Sequence, residues 1–71
     1  MLKIKDNVDL KELEKMGYYK KLYFYNSYDY EKSGLIIYEN TRIVSTSINF
    51  DLDTLYDLIK ADLVEKVDED E

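Results

Sequence analysis

The chain lacks several residue types, and each absence excludes a kind of structure or chemistry. It has no cysteine, so neither a disulfide nor a thiolate metal site is available. It has no histidine, which excludes imidazole-based catalysis and the usual zinc sites. Proline is absent, and the two glycines, Gly17 and Gly34, are too few for a Walker loop or a dinucleotide-binding fingerprint. We therefore expect no catalytic residues, no metal ligands and no cofactor.

Long apolar runs are also missing. No stretch approaches the roughly 20 apolar residues that a transmembrane helix needs. The first residues, M-L-K-I-K-D-N-V, lack the apolar segment of a signal peptide. We therefore expect a cytoplasmic protein that makes no membrane contact.

Acidic residues outnumber basic ones, 16 to 10 over 71 residues, and the net charge is −6. This balance argues against direct nucleic-acid binding, which needs basic patches that neutralise phosphates. An acidic surface either keeps a small protein soluble or binds a basic partner, including a DNA-binding protein. The like-charge run at residues 68–71 is predicted to be an acidic tail that follows a single domain at residues 1–67.

The clearest strand pattern is R-I-V-S-T-S-I-N-F, at residues 42–50. Its residues alternate between two faces, as in a strand with one buried side. We predict a central strand here, with the helices packed against Val44, Thr46, Ile48 and Phe50. Further strands are predicted at residues 2–5, 18–26 and 35–39. Residues 63–67 are predicted to form a last short strand, and the alternative is a continuation of the second helix.

Two short helices are predicted from similar starting residues, V-D-L-K-E-L and F-D-L-D-T-L. Asp9 and Asp51 are the predicted N-caps, although Asp53 is an alternative start for the second helix. The first helix is predicted to end at Gly17 and the second near residues 61–62. The second helix is predicted to face the core through a stripe of residues at helical spacing: Leu52, Leu55, Tyr56 and Ile59.

These elements predict an α+β domain, a small and mainly antiparallel sheet of three to five strands with two short helices on one face. Residues 26–34 are expected to be a loop because they are rich in Asn, Ser, Asp and Gly. The alternative is a longer hairpin that extends through Tyr28 and Tyr30.

Tyrosine is the residue type that departs most from average composition, with eight in 71 residues. If the strand at residues 18–26 buries Leu22 and Phe24, its alternate tyrosines point away from the core. Tyrosine rings suit protein interfaces because they bury apolar area while the hydroxyl stays wet. The alternative is that cross-strand aromatic pairs only stabilise the sheet. We predict a partner-binding face with an acidic rim, formed by Tyr19, Tyr23, Tyr25 and Tyr38.

A different kind of site is conceivable at the start of the second helix. Asp51, Asp53 and Asp57 could hold a metal ion or a small molecule, or act as paired carboxylates in a minor hydrolase. Helix starts favour acidic residues for capping reasons alone, and no complete calcium-binding loop is present. Capping is therefore the preferred interpretation of these residues.

The two ends of the chain carry a resemblance. D-N-V-D-L-K-E-L-E-K-M-G-Y, a tyrosine-rich middle and L-D-T-L-Y-D-L-I-K-A-D-L-V-E-K-V resemble small uncharacterised proteins of phages and prophages of Gram-positive bacteria. Asp62 stands where those sequences have glycine. The resemblance implies a phage accessory protein in the host cell cytoplasm. We expect a non-enzymatic interaction module, such as an inhibitor of a host or defence protein, whose partner is a host protein or a second copy in a homodimer.

Overall fold

The computed structural model describes residues 1–67, except for the side chains of Tyr23 and Phe24. The predicted acidic tail, residues 68–71, lies outside the described residues. Within them the elements are β1 (Leu2–Ile4), α1 (Lys11–Lys15), β2 (Tyr19–Phe24), β3 (Ser27–Lys32), β4 (Leu35–Tyr38), β5 (Ile43–Thr46), α2 (Leu52–Lys60) and β6 (Val64–Lys66).

All six strands form one antiparallel sheet in the order β2-β3-β4-β5-β1-β6. The predicted α+β class is confirmed, but the predicted range of three to five strands was too low. Residues 43–46 lie inside the sheet as predicted, between β4 and β1. The last segment is a strand, because β6 pairs with β1 instead of continuing α2.

One face of the sheet carries the core. Tyr30 of β3 pairs with Ile37 of β4, which pairs with Val44 of β5, and directly opposed side chains share a side of the sheet. Leu13 of α1 and Leu58 of α2 join the same cluster, so both helices pack on this face. The buried apolar residues of the cluster are Ile4, Leu10, Leu13, Tyr18, Tyr30, Leu35, Ile37 and Leu58.

The predicted cap is confirmed for α2 but not for α1, where Leu10 is the N-cap residue and Asp9, one position earlier, accepts a hydrogen bond from the backbone N–H of Lys11 at 3.0 Å. Asp51 Oδ1 accepts a hydrogen bond from the backbone N–H of Asp53 at 3.0 Å, which confirms Asp51 as the cap of α2. α1 gives way to Gly17, whose φ of +98° is in the left-handed region. Asp62 takes the same role after α2, with φ +61°, where a glycine was expected.

The predicted core-facing stripe of α2 was correct for Leu55, which is half-buried against the core, and wrong for its other three residues. Thr54 and Leu58 are buried, whereas the exposed fractions of Leu52, Tyr56 and Ile59 are 67%, 57% and 49%. Two hydrogen bonds at the start of α2 fix how the helix is rotated about its own axis. The backbone N–H of residue 51 donates to the carbonyl of residue 33 at 2.9 Å, and the Thr54 hydroxyl donates to Asp51 Oδ2 at 3.2 Å. These bonds hold Thr54 inward, and Leu58, one turn later, follows it.

The predicted loop at residues 26–34 was also wrong, and the hairpin alternative is correct. β3 occupies residues 27–32, and two-residue turns connect it to its neighbours at Tyr25–Asn26 and Ser33–Gly34. Ser33 and Gly34 have φ of +48° and +88°, and a type I′ hairpin turn needs positive φ at both positions. The polar residues therefore belong to tight turns, and the strand between them alternates through Tyr28 and Tyr30.

Two predicted core positions are exposed. Leu22 is 57% exposed because it lies on the edge strand β2. The helix on that face, α1, has only five residues and is too short to cover it. Ile48 is 98% exposed because β5 ends at Thr46. The alternation that was predicted to continue to Phe50 therefore stops before it reaches Ile48. Phe50 itself packs against the core as predicted.

Candidate functional site

The face of the sheet opposite the helices is not covered by any element of the described chain. We call it the outer face. Its members follow from the register, since Tyr19 pairs with Glu31 and Glu31 with Ile36, while Lys21 pairs with Asp29 and Asp29 with Tyr38. Its side chains are Lys3, Tyr19, Lys21, Asp29, Glu31, Ile36, Tyr38, Ile43, Ser45 and Glu65.

Large apolar side chains gather in the middle of the outer face. Ile36 and Tyr38 alternate on β4, and Ile43 begins the adjacent strand β5; all three are half-buried. Tyr19 is exposed on the edge strand β2. Soluble monomers seldom leave a large contiguous apolar patch in water, and aromatic residues are enriched where proteins bind each other. The outer face therefore has the composition of a contact surface.

The structure brings together two of the four predicted partner-binding residues. Tyr19 and Tyr38 lie on the outer face, two strands apart. Tyr25 lies in the turn after β2, with φ +53° and a highly exposed ring, because the strand ends at residue 24. The side chain of Tyr23 lies outside the described residues.

Charged groups flank the apolar side chains on β2 and β3. Lys21 Nζ lies 3.7 Å from Glu31 Oε2, and the Tyr19 hydroxyl donates to Glu31 Oε1 at 3.4 Å. Asp29 is only 2% exposed, and its Oδ1 has no hydrogen-bond partner in the described part of the chain. Burial and then the nearby charge of Glu31 raise the pKa of Asp29. Asp29 was not predicted as a site residue because its segment was expected to be a solvated loop.

Asp29→Asn is expected to stabilise the fold near neutral pH by on the order of 1 kcal/mol, because it removes a buried, incompletely bonded charge. The folded pKa of Asp29 lies above the unfolded one. The cost of ionised Asp29 is therefore fully present above the folded pKa and disappears as the pH falls toward the unfolded pKa. Urea denaturation of both proteins at neutral and acidic pH would show a gain that shrinks toward about pH 4. A loss of stability at neutral pH would mean that ionised Asp29 is favourably bonded.

The acidic residues of α2 do not form a metal cluster. Asp51 uses both carboxylate oxygens in the cap, on the backbone N–H of residue 53 and the hydroxyl of Thr54. Within residues 1–67 no three acidic side chains converge closely enough to hold a metal ion. The predicted alternative site consisted of Asp51, Asp53 and Asp57. Asp51 serves as the cap, and the side chains of the other two have no part in it.

Asp51→Ala should therefore cost about 0.5–2 kcal/mol of stability, while Asp53→Ala should cost clearly less. The first change removes two bonds at the helix start, and the second removes only an acidic side chain from the first turn. Thermal melts of the two variants give the comparison. A larger loss for Asp53→Ala would contradict the observed cap.

Comparison of the chain with family models, curated proteins and solved structures finds no match. No helix of residues 1–67 is long and apolar enough to cross a membrane. The resemblance to phage proteins stays an expectation, and function has to be inferred from the surfaces of this chain.

Proposed function

We propose that the protein is a non-enzymatic interaction module that binds a protein partner through the outer face. The observation that carries this proposal is the one-sided architecture, in which both helices pack on the same face of a six-stranded sheet. The opposite face carries Tyr19, Ile36, Tyr38 and Ile43, and neither helix of residues 1–67 packs over it. A partner would bury these side chains and exclude water from them.

The outer face has the layout of a protein interface. Its apolar centre on β4 and β5 is bordered by charged pairs at two ends, Lys21 with Glu31 and Lys3 with Glu65, whose nearest atoms are 3.7 and 3.8 Å apart. Interfaces commonly combine an apolar centre with a polar rim. The rim therefore carries both signs of charge, which differs from the predicted acidic rim.

The partner in this proposal is a host protein or a second copy of the chain. The resemblance of the two chain ends to small phage proteins favours the first, with the module acting as an inhibitor of a host or defence protein. Inhibition would need only a stable complex, so it agrees with a chain that has no histidine or cysteine.

Photo-crosslinking from the outer face tests the proposal. A benzoylphenylalanine placed at Tyr19 or Tyr38 should form adducts with one defined protein when the variants are irradiated in the producing cells. The control position is Lys11, which is exposed on α1 on the other side of the sheet. An adduct of twice the chain mass would identify a second copy as the partner. Equal adducts from all three positions, or none from the outer face, would contradict the proposal.

The double variant Tyr19→Ser with Tyr38→Ser should stay folded but bind the crosslinked partner more weakly, because truncating a central interface tyrosine often costs about 2 kcal/mol or more. Circular dichroism would check the fold, and titration of the purified partner would measure the affinity. Unchanged affinity in a folded variant would remove these tyrosines from the interface.

A further inference from the structure

A second exposed apolar surface lies on α2, on the helix side of the sheet and therefore away from the outer face. Leu52, Tyr56 and Ile59 follow each other at i, i+4 and i+7, so they align along one side of the helix. We call these three residues the α2 stripe. The turn before the helix adds the exposed Ile48. The core does not use this stripe, since α2 packs through Thr54, Leu58 and the half-buried Leu55.

Acidic side chains run beside the α2 stripe. Asp53 lies three residues before Tyr56 and therefore borders the stripe, whereas Asp57 is turned by about 100° around the helix from Tyr56. The two carboxylates are four residues apart and form a row along the helix. No lysine or arginine of the described chain lies within ion-pair distance of either one. Lys60, the basic residue of α2, lies with its Nζ 6.0 Å from the centre of the Tyr56 ring. The stripe thus combines exposed apolar groups with two unpaired negative charges.

We propose that the α2 stripe is a second binding surface, and that its ligand is a basic amphipathic helix of another protein. The apolar side of such a helix would cover Leu52, Tyr56 and Ile59, and its lysines or arginines would pair with Asp53 and Asp57. A second copy of α2 fits less well, because residues 51–62 carry four aspartates and one lysine and would repel themselves. This surface is independent of the outer face, so either proposal can fail alone.

The probe is a synthetic helical peptide of leucine and lysine with leucines at i, i+3, i+4 and i+7, labelled for fluorescence anisotropy. The control peptide has glutamate in place of every lysine. The lysine peptide should bind and the glutamate peptide should not. Binding should weaken as salt rises, because dissolved ions screen the attraction between the peptide lysines and the exposed aspartates, with a screening length of about 8 Å at physiological ionic strength.

Variants locate the peptide on the molecule. Leu52→Ser with Ile59→Ser should weaken lysine-peptide binding at least about tenfold, since the two changes remove both ends of the apolar surface that the peptide would bury. Asp53→Asn with Asp57→Asn should weaken it less and flatten its salt dependence. The matched control is Leu22→Ser, which removes a leucine of similar exposure from the edge strand β2.

The proposal is overturned if the glutamate peptide binds as well as the lysine peptide, or if Leu22→Ser weakens binding as much as the stripe variant. The absence of measurable binding would overturn it too. Sedimentation velocity tests whether a second copy covers the stripe instead. A dimer that the stripe variant abolishes would show this and would overturn the proposed ligand. Amide chemical-shift changes confined to residues 48–60 would support the proposal.

Discussion

Leu58→Ala is expected to lower the free energy of unfolding by about 2–5 kcal/mol, whereas Leu52→Ala on the same helix should change it by less than about 0.5 kcal/mol. The difference follows from burial. Leu58 is fully buried in the core cluster between α2 and the sheet, so truncation leaves a cavity there. Leu52 is exposed, and alanine is at least as good a helix former as leucine.

Urea denaturation of the two variants measures this contrast. A domain of this size has only a few kcal/mol of stability, so both variants are measured in the presence of an excluded osmolyte, which gives Leu58→Ala a folded baseline. Tyr56→Ala is a second exposed control, expected to cost little beyond its contact with Lys60. Equal losses for Leu58→Ala and Leu52→Ala would mean that α2 buries a different side from the one observed.

The limits of α2 could be predicted from sequence, but its rotation could not. The cap is a local property, since Asp51 bonds groups two and three residues ahead of it. Rotation depends on the remote hydrogen bond to the carbonyl of residue 33, in a turn that was not predicted. The helix also has apolar residues over a wide arc, from Leu58 to Tyr56, so periodicity alone allowed two inward faces. Because Leu58 faces the core, the α2 stripe faces solvent and is a candidate binding surface.

For the outer face, too, some features could be predicted from sequence and others could not. The strand predicted at residues 35–39 alternates, with Leu35 and Ile37 buried in the core and Tyr38 on the opposite face, where it was predicted to bind a partner. The burial of Asp29 could not be predicted, because it depends on neighbours from β2 and β4 that flank β3. Local composition indicated a loop there, and strand pairing between distant residues overrode it.

Gly34→Ala is expected to destabilise the protein by about 2–5 kcal/mol, for two reasons that add. Gly34 has φ +88°, a conformation that costs an L-residue free energy. A Cβ there would also lie 2.6 Å from Phe50 Cα and 2.8 Å from Ser47 Oγ. That backbone has little room to retreat, because residues 47 and 51 donate hydrogen bonds to the carbonyls of residues 34 and 33, both at 2.9 Å.

Gly17 provides the matched control for this prediction. Its φ is +98°, but the nearest atoms to an added Cβ belong to the end of the Lys32 side chain, with Nζ at 3.2 Å, which can shift although it donates to the Met16 carbonyl at 2.6 Å. Gly17→Ala should therefore lose mainly the conformational part, about 1–2 kcal/mol, because a lysine side chain can shift where backbone cannot. Asparagine tolerates positive φ, so Gly17→Asn should recover most of that loss while Gly34→Asn should not. Thermal melts of the four variants separate the two causes. If Gly34→Asn recovers as fully as Gly17→Asn, residues 47–50 do not pack against Gly34.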